Sequence, residues 1–399
     1  MGEGRQLNGL EKFLDAVDLV HPINFSLVVT IRGDLTLELL STASKIACDR
    51  LPTSLLVPHN RGTNQSFFRP SPFMPRIEVA SSQRLDRTLS HSINHRFDLN
   101  REGPIRIRWQ PTSNYHVLVI TFLHTTADAS SGLIWLNTLI ESLDQLVEGK
   151  RIHATESSVP SSLLEGIDQP AISSVERRNE TKLSGAKFAK TRATAVLGIE
   201  FSAEETKRLF ESVSRRQLSI NTVLSAAHLR AVSGLFSEQP AMSLSFPVDL
   251  RRGRGLPSYA YGCFVSEARI TQRVNPKAST IALSRRLERE LNTAVETARP
   301  WNEKMTDPLD ARKIYESRAT TAVSNLGVFK PFASKHFEID RTSFAVGCSV
   351  LGDQVLTVLT TKDRMTCMLC WTVDTATPDQ IRGLGARFKE NLAELYDHT

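Results

Sequence analysis

The chain has 399 residues, of which 40% are hydrophobic and 23% charged, with a formal net charge of +6. This length exceeds the size at which one hydrophobic core usually stops growing, so two domains are expected. The longest apolar run, 117–123, is far below the ~18 residues that cross a bilayer, and the polar start resembles no signal peptide. We therefore expect a cytoplasmic protein without a membrane span.

The first half alternates strand-like and helix-like patterns. Strands are predicted at 24–31, 75–80, 105–109 and 116–123, and helices at 35–48, 83–95 and 133–147. The helix at 133–147 is the clearest, because its apolar residues recur on one face with a 3.6-residue period. These elements are assigned to a first lobe, residues 1–150.

The pattern breaks after this lobe, and residues 151–192 are predicted to be a crossover linker. Periodicity then resumes in a second lobe, 193–399. Helices are predicted at 203–214, 221–232, 279–297 and 378–394, and strands at 197–201 and 243–248, followed by a three-strand meander at 344–350, 355–361 and 365–373. Strands mixed with helices in both halves predict an α/β (α+β) protein with two lobes.

Cysteine usage and charge exclude several classes of function. Five cysteines in a chain of this length do not indicate a disulfide framework. Cys367 and Cys370 fall on a predicted strand, where residues three apart point to opposite faces of the sheet. Buried thiols are therefore expected rather than a metal or redox pair. No dinucleotide loop, Walker loop or zinc spacing is present, so no permanently bound cofactor or metal is expected. The basic net charge could favour binding of coenzyme A phosphates or an acidic carrier protein, or it could reflect an ordinary, mildly basic surface. The basic residues are not interleaved with the aromatic residues of a nucleic-acid platform.

The strongest chemical feature is the segment in which the strand 116–123 runs into a loop with His124 and Asp128. Loops at strand ends are favoured positions for catalytic groups, and histidine can accept a proton near neutral pH. Two structural alternatives stay open. His124 can be an ordinary strand-end histidine, and Asp128 can be the N-cap of the helix that follows.

His124-x-x-x-Asp128 resembles the active-site motif of the condensation-domain and BAHD-type acyltransferases, which share the fold of chloramphenicol acetyltransferase. Further segments resemble the family in the same order: 96–99 (Arg-Phe-Asp-Leu) with 103–106 (Gly-Pro-Ile-Arg), 219–227, 247–251 (Pro-Val-Asp-Leu-Arg) with 256–257 and 261–262, and 323–327 (Val-Ser-Asn-Leu-Gly). The sequence departs from the motif at Leu123, Ala129 and Cys263, which stand where the family has His, Gly and Asn. The Asp-Phe-Gly-Trp-Gly segment of the plant enzymes is absent. The resemblance is therefore nearest to the alcohol O-acyltransferase and polyketide-associated branch.

This resemblance implies two chloramphenicol-acetyltransferase-like lobes with mixed sheets and an active-site tunnel between them. It implies His124 as the general base, and acyl-CoA or a phosphopantetheinyl thioester as the co-substrate that is attacked directly in a ternary complex. Asp128 would hold the loop in shape by pairing with an arginine, either Arg251 or Arg106.

Four further residues receive roles from the resemblance. Ser324 and Asn325 would bind the oxyanion or the thioester carbonyl, or would simply form a turn at the end of a strand. Gly262 and Cys263 would line the substrate tunnel as close-packed positions, with Cys263 not expected to carry an acyl group.

The function implied is an O-acyltransferase that acts on a small-molecule alcohol, with an amine as the alternative acceptor. An acyl carrier protein or a polyketide synthase is a candidate partner. Two alternatives stay open: a condensation-type enzyme that forms amides or offloads a polyketide or peptide chain, and a non-catalytic lobe that binds a carrier protein. The sequence leaves the acyl chain, the acceptor and the oligomeric state undetermined.

Overall fold

A computed structural model describes residues 5–63, 65–80, 84–150, 193–236, 241–251, 256–297, 319–348 and 352–396. The predicted linker at 151–192 lies outside the described residues, so its assignment stays a prediction.

The first half forms four helices and seven strands within the described residues. The helices are α1 (Gly9–Val20), α2 (Leu37–Arg50), α3 (Leu85–Asn94) and α4 (Ala129–Val147), with a 3-10 helix at Pro52–Leu55. The strands are β1 (Arg5–Gln6), β2 (Phe25–Arg32), β3 (Leu56–His59), β4 (Phe67–Pro70), β5 (Arg76–Val79), β6 (Ile105–Pro111) and β7 (His116–Phe122).

The described part of the second half adds four helices and seven strands. The helices are α5 (Ala203–Arg215), α6 (Ile220–Ser233), α7 (Thr280–Thr297) and α8 (Pro378–Ala393). The strands are β8 (Thr194–Glu200), β9 (Ala241–Asp249), β10 (Val265–Arg273), β11 (Thr321–Phe329), β12 (Glu338–Val346), β13 (Gln354–Thr361) and β14 (Arg364–Thr372).

Two large mixed sheets organise the molecule. The first has the strand order β12-β2-β7-β6-β5, with only β5 and β6 parallel, and the second has the order β10-β9-β11-β13-β14-β8, with β11 parallel to both neighbours. A small third sheet has the strand order β1-β4-β3, and its strands all come from the first half of the chain. The predicted class, mixed α/β with two sheet-rich lobes, is confirmed.

The predicted three-strand meander is wrong. Strands β13 and β14 pair as expected, but β12 pairs antiparallel with β2 at the edge of the first sheet, with Phe344 opposite Leu27. The loop before β12 is held on α4, where the Asp144 carboxylate accepts hydrogen bonds from the backbone of Lys335 (2.9 Å) and His336 (3.1 Å). Part of the range 193–399, assigned to the second lobe, therefore completes the first sheet.

The core is continuous between the two sheets. One cluster of buried apolar side chains contains the centre of the first sheet together with Val196, Ala322 and Val355 from the second. The opposite face of the second sheet packs in a separate cluster with its helices. Cys367 belongs to the second cluster and Cys370 to the first, and both are free and fully buried. The prediction of buried thiols on opposite faces of one strand is confirmed.

Helix α1 was not predicted from the sequence. It begins with a capping box, in which the Asn8 side chain accepts from the Glu11 backbone and the Glu11 carboxylate accepts from the Asn8 backbone. Its apolar face packs with Ile23 and Cys263, and is formed by Leu10, Phe13, Leu14 and Val17. The capping box and the 3.6-residue spacing of these side chains are the signals that predict this helix. None of the helices in the described ranges has the length and hydropathy to cross a membrane.

Candidate active site

The loop with His124 is a tight connection between β7 and α4. Leu123 donates its backbone N–H to the Pro104 carbonyl (2.9 Å), and the Thr126 hydroxyl donates back to the Leu123 carbonyl (2.8 Å). Helix α4 then begins at Ala129, because the Asp128 side chain caps it by accepting the N–H of Ser131 at 2.8 Å. His124 is thus held between a strand end and a capped helix start.

Asp128 is also bound to the second lobe. Its two carboxylate oxygens accept hydrogen bonds from the Arg251 guanidinium at 2.8 and 3.0 Å, and one of them accepts the Phe264 backbone N–H at 2.8 Å. The pair is almost fully buried, with 3% of the Arg251 side chain and 8% of the Asp128 side chain exposed. Asp128 therefore serves both as the N-cap and as the partner of Arg251.

Arg251 joins this carboxylate to the surrounding backbone. Its guanidinium donates to the Ser131 hydroxyl at 2.7 Å, to the Ala260 carbonyl at 2.9 Å and to Asp249 at 3.0 Å. Burial disfavours the Arg251 cation, but the carboxylates of Asp128 and Asp249 outweigh it and raise the pKa of Arg251 above its usual value. We call this set, Asp128, Ser131, Asp249 and Arg251, the interlobe clamp.

The other arginine considered for Asp128 has a different partner. Arg106 forms a buried bidentate pair with Glu102, at 2.7 and 3.1 Å, and its guanidinium lies 4.3 Å from the centre of the Phe97 ring. Both groups belong to the first lobe. Arg251 is therefore the partner that the structure assigns to Asp128.

His124 is half-buried, and its environment favours the neutral ring. The Phe25 ring meets the imidazole edge-on with centroids 5.4 Å apart, and the Cys263 Sγ lies 4.0 Å from its Nδ1. Burial lowers the pKa of His124, and the backbone at His124 and Ala127 together with the Asp128 charge oppose this effect without overcoming it. An imidazole with a lowered pKa is unprotonated at neutral pH and can accept a proton.

Gly262 and Cys263 lie in the clamp region. The Gly262 backbone N–H donates to the Ser131 hydroxyl at 3.0 Å, and its carbonyl accepts from that hydroxyl at 2.7 Å and from the Asp128 N–H at 3.2 Å. Burial raises the pKa of the Cys263 thiol well above its usual value. A neutral buried thiol is a poor nucleophile, which agrees with the expectation that Cys263 does not carry an acyl group.

Ser324 and Asn325 lie in the middle of β11, in the second sheet. Ser324 is buried, and the Asn325 side-chain oxygen accepts the Gly327 N–H at 2.9 Å, where β11 has a bulge and Gly327 adopts a φ of +77°. Asn325 thus stabilises a bulge inside β11, rather than the turn at a strand end that was the structural alternative. Among the described residues, no hydrogen bond joins either side chain to His124, so their proposed contact with substrate stays a prediction.

Within the described ranges, no group of three or more His, Cys, Asp or Glu side chains could hold a metal ion. The tunnel and the thioester co-substrate likewise stay predictions.

Three members of the site were not assigned roles from the sequence. Phe25 contacts the imidazole, Ser131 bridges Arg251 to Gly262, and Asp249 is a second carboxylate on Arg251. Ser131 lies at the third position of α4, which Asp128 caps, and Asp249 precedes Arg251 by two residues. Phe25 carries no such signal, because only the pairing of β2 with β7 places it opposite Phe122.

Comparisons with known proteins give one family match and several structures with the same fold. Residues 190–375 match the family model for the C-terminus of phthiocerol/phthiodiolone dimycocerosyl transferase, the PapA C-terminal domain. No curated protein sequence matches the chain.

Solved structures of low sequence identity share the fold over the whole chain. Polyketide synthase associated protein 5 from Mycobacterium tuberculosis is 15% identical with a TM-score of 0.72, and the match covers 100% of both chains. The first condensation domain of the CDA synthetase is 13% identical with a TM-score of 0.76, covering 99% of this chain and 97% of the other. The TRI3 trichothecene 15-O-acetyltransferase from Fusarium sporotrichioides is 12% identical with a TM-score of 0.71, covering 98% and 95%.

The fold that the resemblance implied is confirmed. The chain has the fold of the condensation-domain and acyltransferase structures, and its residues 190–375 match the PapA C-terminal family model.

Proposed function

We propose that the protein is an acyltransferase that moves an acyl group from a coenzyme A or carrier-protein thioester to an acceptor hydroxyl, with His124 as the general base. The observation that carries the proposal is the interlobe clamp. It fixes the loop of a half-buried neutral imidazole against the second lobe, where residues 190–375 match a transferase family.

In this mechanism His124 accepts the proton of the acceptor O–H while the oxygen attacks the thioester carbonyl carbon. The C–O bond forms, the C–S bond breaks, and the imidazolium returns the proton to the leaving thiolate. A general base in this position contributes on the order of 10²–10⁴-fold in rate. The carbonyl oxygen becomes negatively charged in between, and Ser324 and Asn325 are the proposed donors that stabilise it.

Asp128 and Arg251 have a geometric role in this proposal. The two carboxylate oxygens of Asp128 and the three guanidinium nitrogens of Arg251 are hydrogen-bonded to each other and to the protein, so they hold the His124 loop rather than exchange protons with substrate. A displacement of about 1 Å at a reacting group costs on the order of 10²-fold in rate, which gives such a clamp a large effect on activity.

A condensation-type enzyme that forms an amide is the second candidate. It is favoured by the similarity to a condensation domain, at a TM-score of 0.76. The match to a PapA-type transferase and the similarity to an O-acetyltransferase support ester formation instead. The similarity to a polyketide synthase associated protein supports a carrier protein or polyketide synthase as the source of the acyl group. The cytoplasmic location remains part of the proposal.

The test is release of free thiol from a panel of acyl-CoAs and acyl carrier proteins, with pooled hydroxyl and amine acceptors and product masses measured. We expect acceptor-dependent release that falls at least about 10²-fold in His124→Ala. The exposed His336 supplies a matched control, since His336→Ala removes an imidazole from the loop before β12 and should retain activity. Equal turnover of His124→Ala and wild type would exclude the mechanism. No release from any donor by a folded protein would favour the third candidate, a lobe that only binds a carrier protein.

A further inference from the structure

The thiol of Cys263 lies against the candidate base. Its Sγ is 4.0 Å from Nδ1 of His124, and the residue is only 1% exposed. Cys263 stands where the family motif has asparagine, so a weakly polar thiol replaces an amide at this position of the sequence.

The position of Cys263 is fixed from both sides. The residue before it, Gly262, donates its N–H to the Ser131 hydroxyl at 3.0 Å, and the residue after it, Phe264, donates its N–H to Asp128 at 2.8 Å. Both acceptors lie at the start of α4, directly after the His124 loop. The thiol and the imidazole are therefore held in one rigid frame.

The Cys263 side chain also packs against the first lobe through the apolar face of α1. Cys263 therefore contacts both the imidazole and a helix, and its side chain is buried between them and the protein interior.

The charges around this contact are already compensated. Three of the neighbouring groups belong to the clamp: Asp128 pairs with Arg251, and Asp249 is also bound to Arg251. On α1, Glu11 pairs with Arg5 at 2.6 and 2.8 Å. The remaining titratable neighbour is Tyr261, and burial raises its pKa. Burial keeps the thiol itself protonated. Sulfur is a weak hydrogen-bond acceptor, so it stabilises an imidazolium far less than an amide oxygen would.

We propose that Cys263 is a positioning residue for His124: its neutral thiol fixes the Nδ1 side of the ring and leaves the other ring nitrogen as the base. The two nitrogens of an imidazole point in diverging directions. A packing contact of Cys263 at Nδ1 therefore directs Nε2 away from Cys263 and α1. This inference rests on the proposed function for its meaning in catalysis, but the ring geometry can be tested without turnover.

Two substitutions separate polarity from packing. Cys263→Asn places a strong acceptor at Nδ1, so the protonated ring is stabilised and its pKa rises by about 0.5–1 pH unit. The acid limb of kcat/KM shifts upward by the same amount. Cys263→Ala removes the thiol that packs at Nδ1 and adds no acceptor, so the pKa of His124 changes little. Because the imidazole ring is then less well oriented, kcat falls on the order of 10-fold.

The experiment is an NMR titration of histidine-labelled protein, in which the signal of His124 among the 10 histidines is identified by its loss in His124→Asn. Cys367→Ala is the matched control, because it deletes an equally buried thiol in the core of the second sheet and should leave the His124 titration unchanged.

The same variants are then assayed for acyl transfer against pH. An unchanged His124 titration in Cys263→Asn would overturn the inference, as would an equal shift in Cys367→Ala. A shifted titration in a protein without any acyl-transfer activity would instead refute the proposed function and leave the contact between Cys263 and His124 established.

Discussion

Breaking the pair between Asp128 and Arg251 should uncouple the two lobes at the active site. Asp128→Asn keeps the shape and the N-cap oxygen but removes the charge, and it leaves the Arg251 cation buried with only Asp249, whose side chain is 25% exposed. Removal of one partner from a fully buried ion pair costs about 3–5 kcal/mol. Because Asp249 remains, we expect the lower end of this range for the loss in the free energy of unfolding.

The assay is a double-mutant cycle with Asp128→Asn, Arg251→Met and the double variant, measured by urea unfolding and by initial rates of acyl transfer. Each single variant leaves a group without its buried partner, whereas the double variant leaves neither, so the double variant should lose less stability than the sum of the single losses. We expect a coupling free energy of about 1–3 kcal/mol. The transfer rate should fall in all three variants, because the His124 loop loses its fixed position.

The matched control is Glu102→Gln, which disrupts the equally buried pair of Arg106 with Glu102 inside the first lobe. It should lower stability by a similar amount but retain transfer activity per folded molecule. Additive single losses, within about 0.5 kcal/mol, would refute the reasoning that the clamp acts as one unit. Full activity in Asp128→Asn would refute its role in positioning His124.

Three further predictions concern acidity and packing. The acid limb of kcat/KM should lie below pH 6.5, because burial lowers the pKa of His124 and the base stays neutral to lower pH; a limb above pH 6.5 would contradict this. Burial lowers the pKa of His228 to about 3, so the unfolded state binds the proton first as pH falls. Between pH 7 and 5, urea unfolding should show that wild type loses about 2 kcal/mol more stability than His228→Gln, and parallel losses would exclude this residue as the cause. Gly132→Ala puts a Cβ 2.9 Å from the Phe25 ring, which should lower the free energy of unfolding by about 1–3 kcal/mol and also lower the transfer rate. The control Gly383→Ala has room for a Cβ in its helix and should raise the free energy of unfolding by about 0.5–1 kcal/mol. Equal free energies of unfolding in the two variants would contradict the packing argument.

Periodicity predicted the elements that carry their own pattern. The strand before His124 and the helix after Asp128 were located within a few residues, because the apolar residues of each fall on faces that are buried in the fold. Both proposals for Asp128, the N-cap and the partner of Arg251, proved true together, since a carboxylate has enough acceptor sites for both.

Such patterns do not predict which strands pair when they are far apart in the sequence. The apolar spacing in β12 predicts a strand, but it contains no information on which sheet edge the strand joins, and the edge turned out to be β2. Contacts such as Phe25 with His124 depend on this register and so could not be predicted. The proposed roles of Ser324 and Asn325 rest on resemblance alone, because no hydrogen bond within the described residues connects them to the imidazole.

The pairing of β12 with β2 has a consequence for biosynthesis. Residues 25–32 leave the ribosome about 300 residues before their partner at 338–346, which at typical rates of ~5–20 residues per second is on the order of 15–60 s. During this time the first half of the chain displays an unpaired, apolar edge strand, which is a template for association with other chains.

Neither half of the protein is then a self-sufficient folding unit. A fragment that ends before residue 338 should aggregate through the exposed edge of β2, and a separately expressed second half should restore the complete first sheet by supplying β12 in trans.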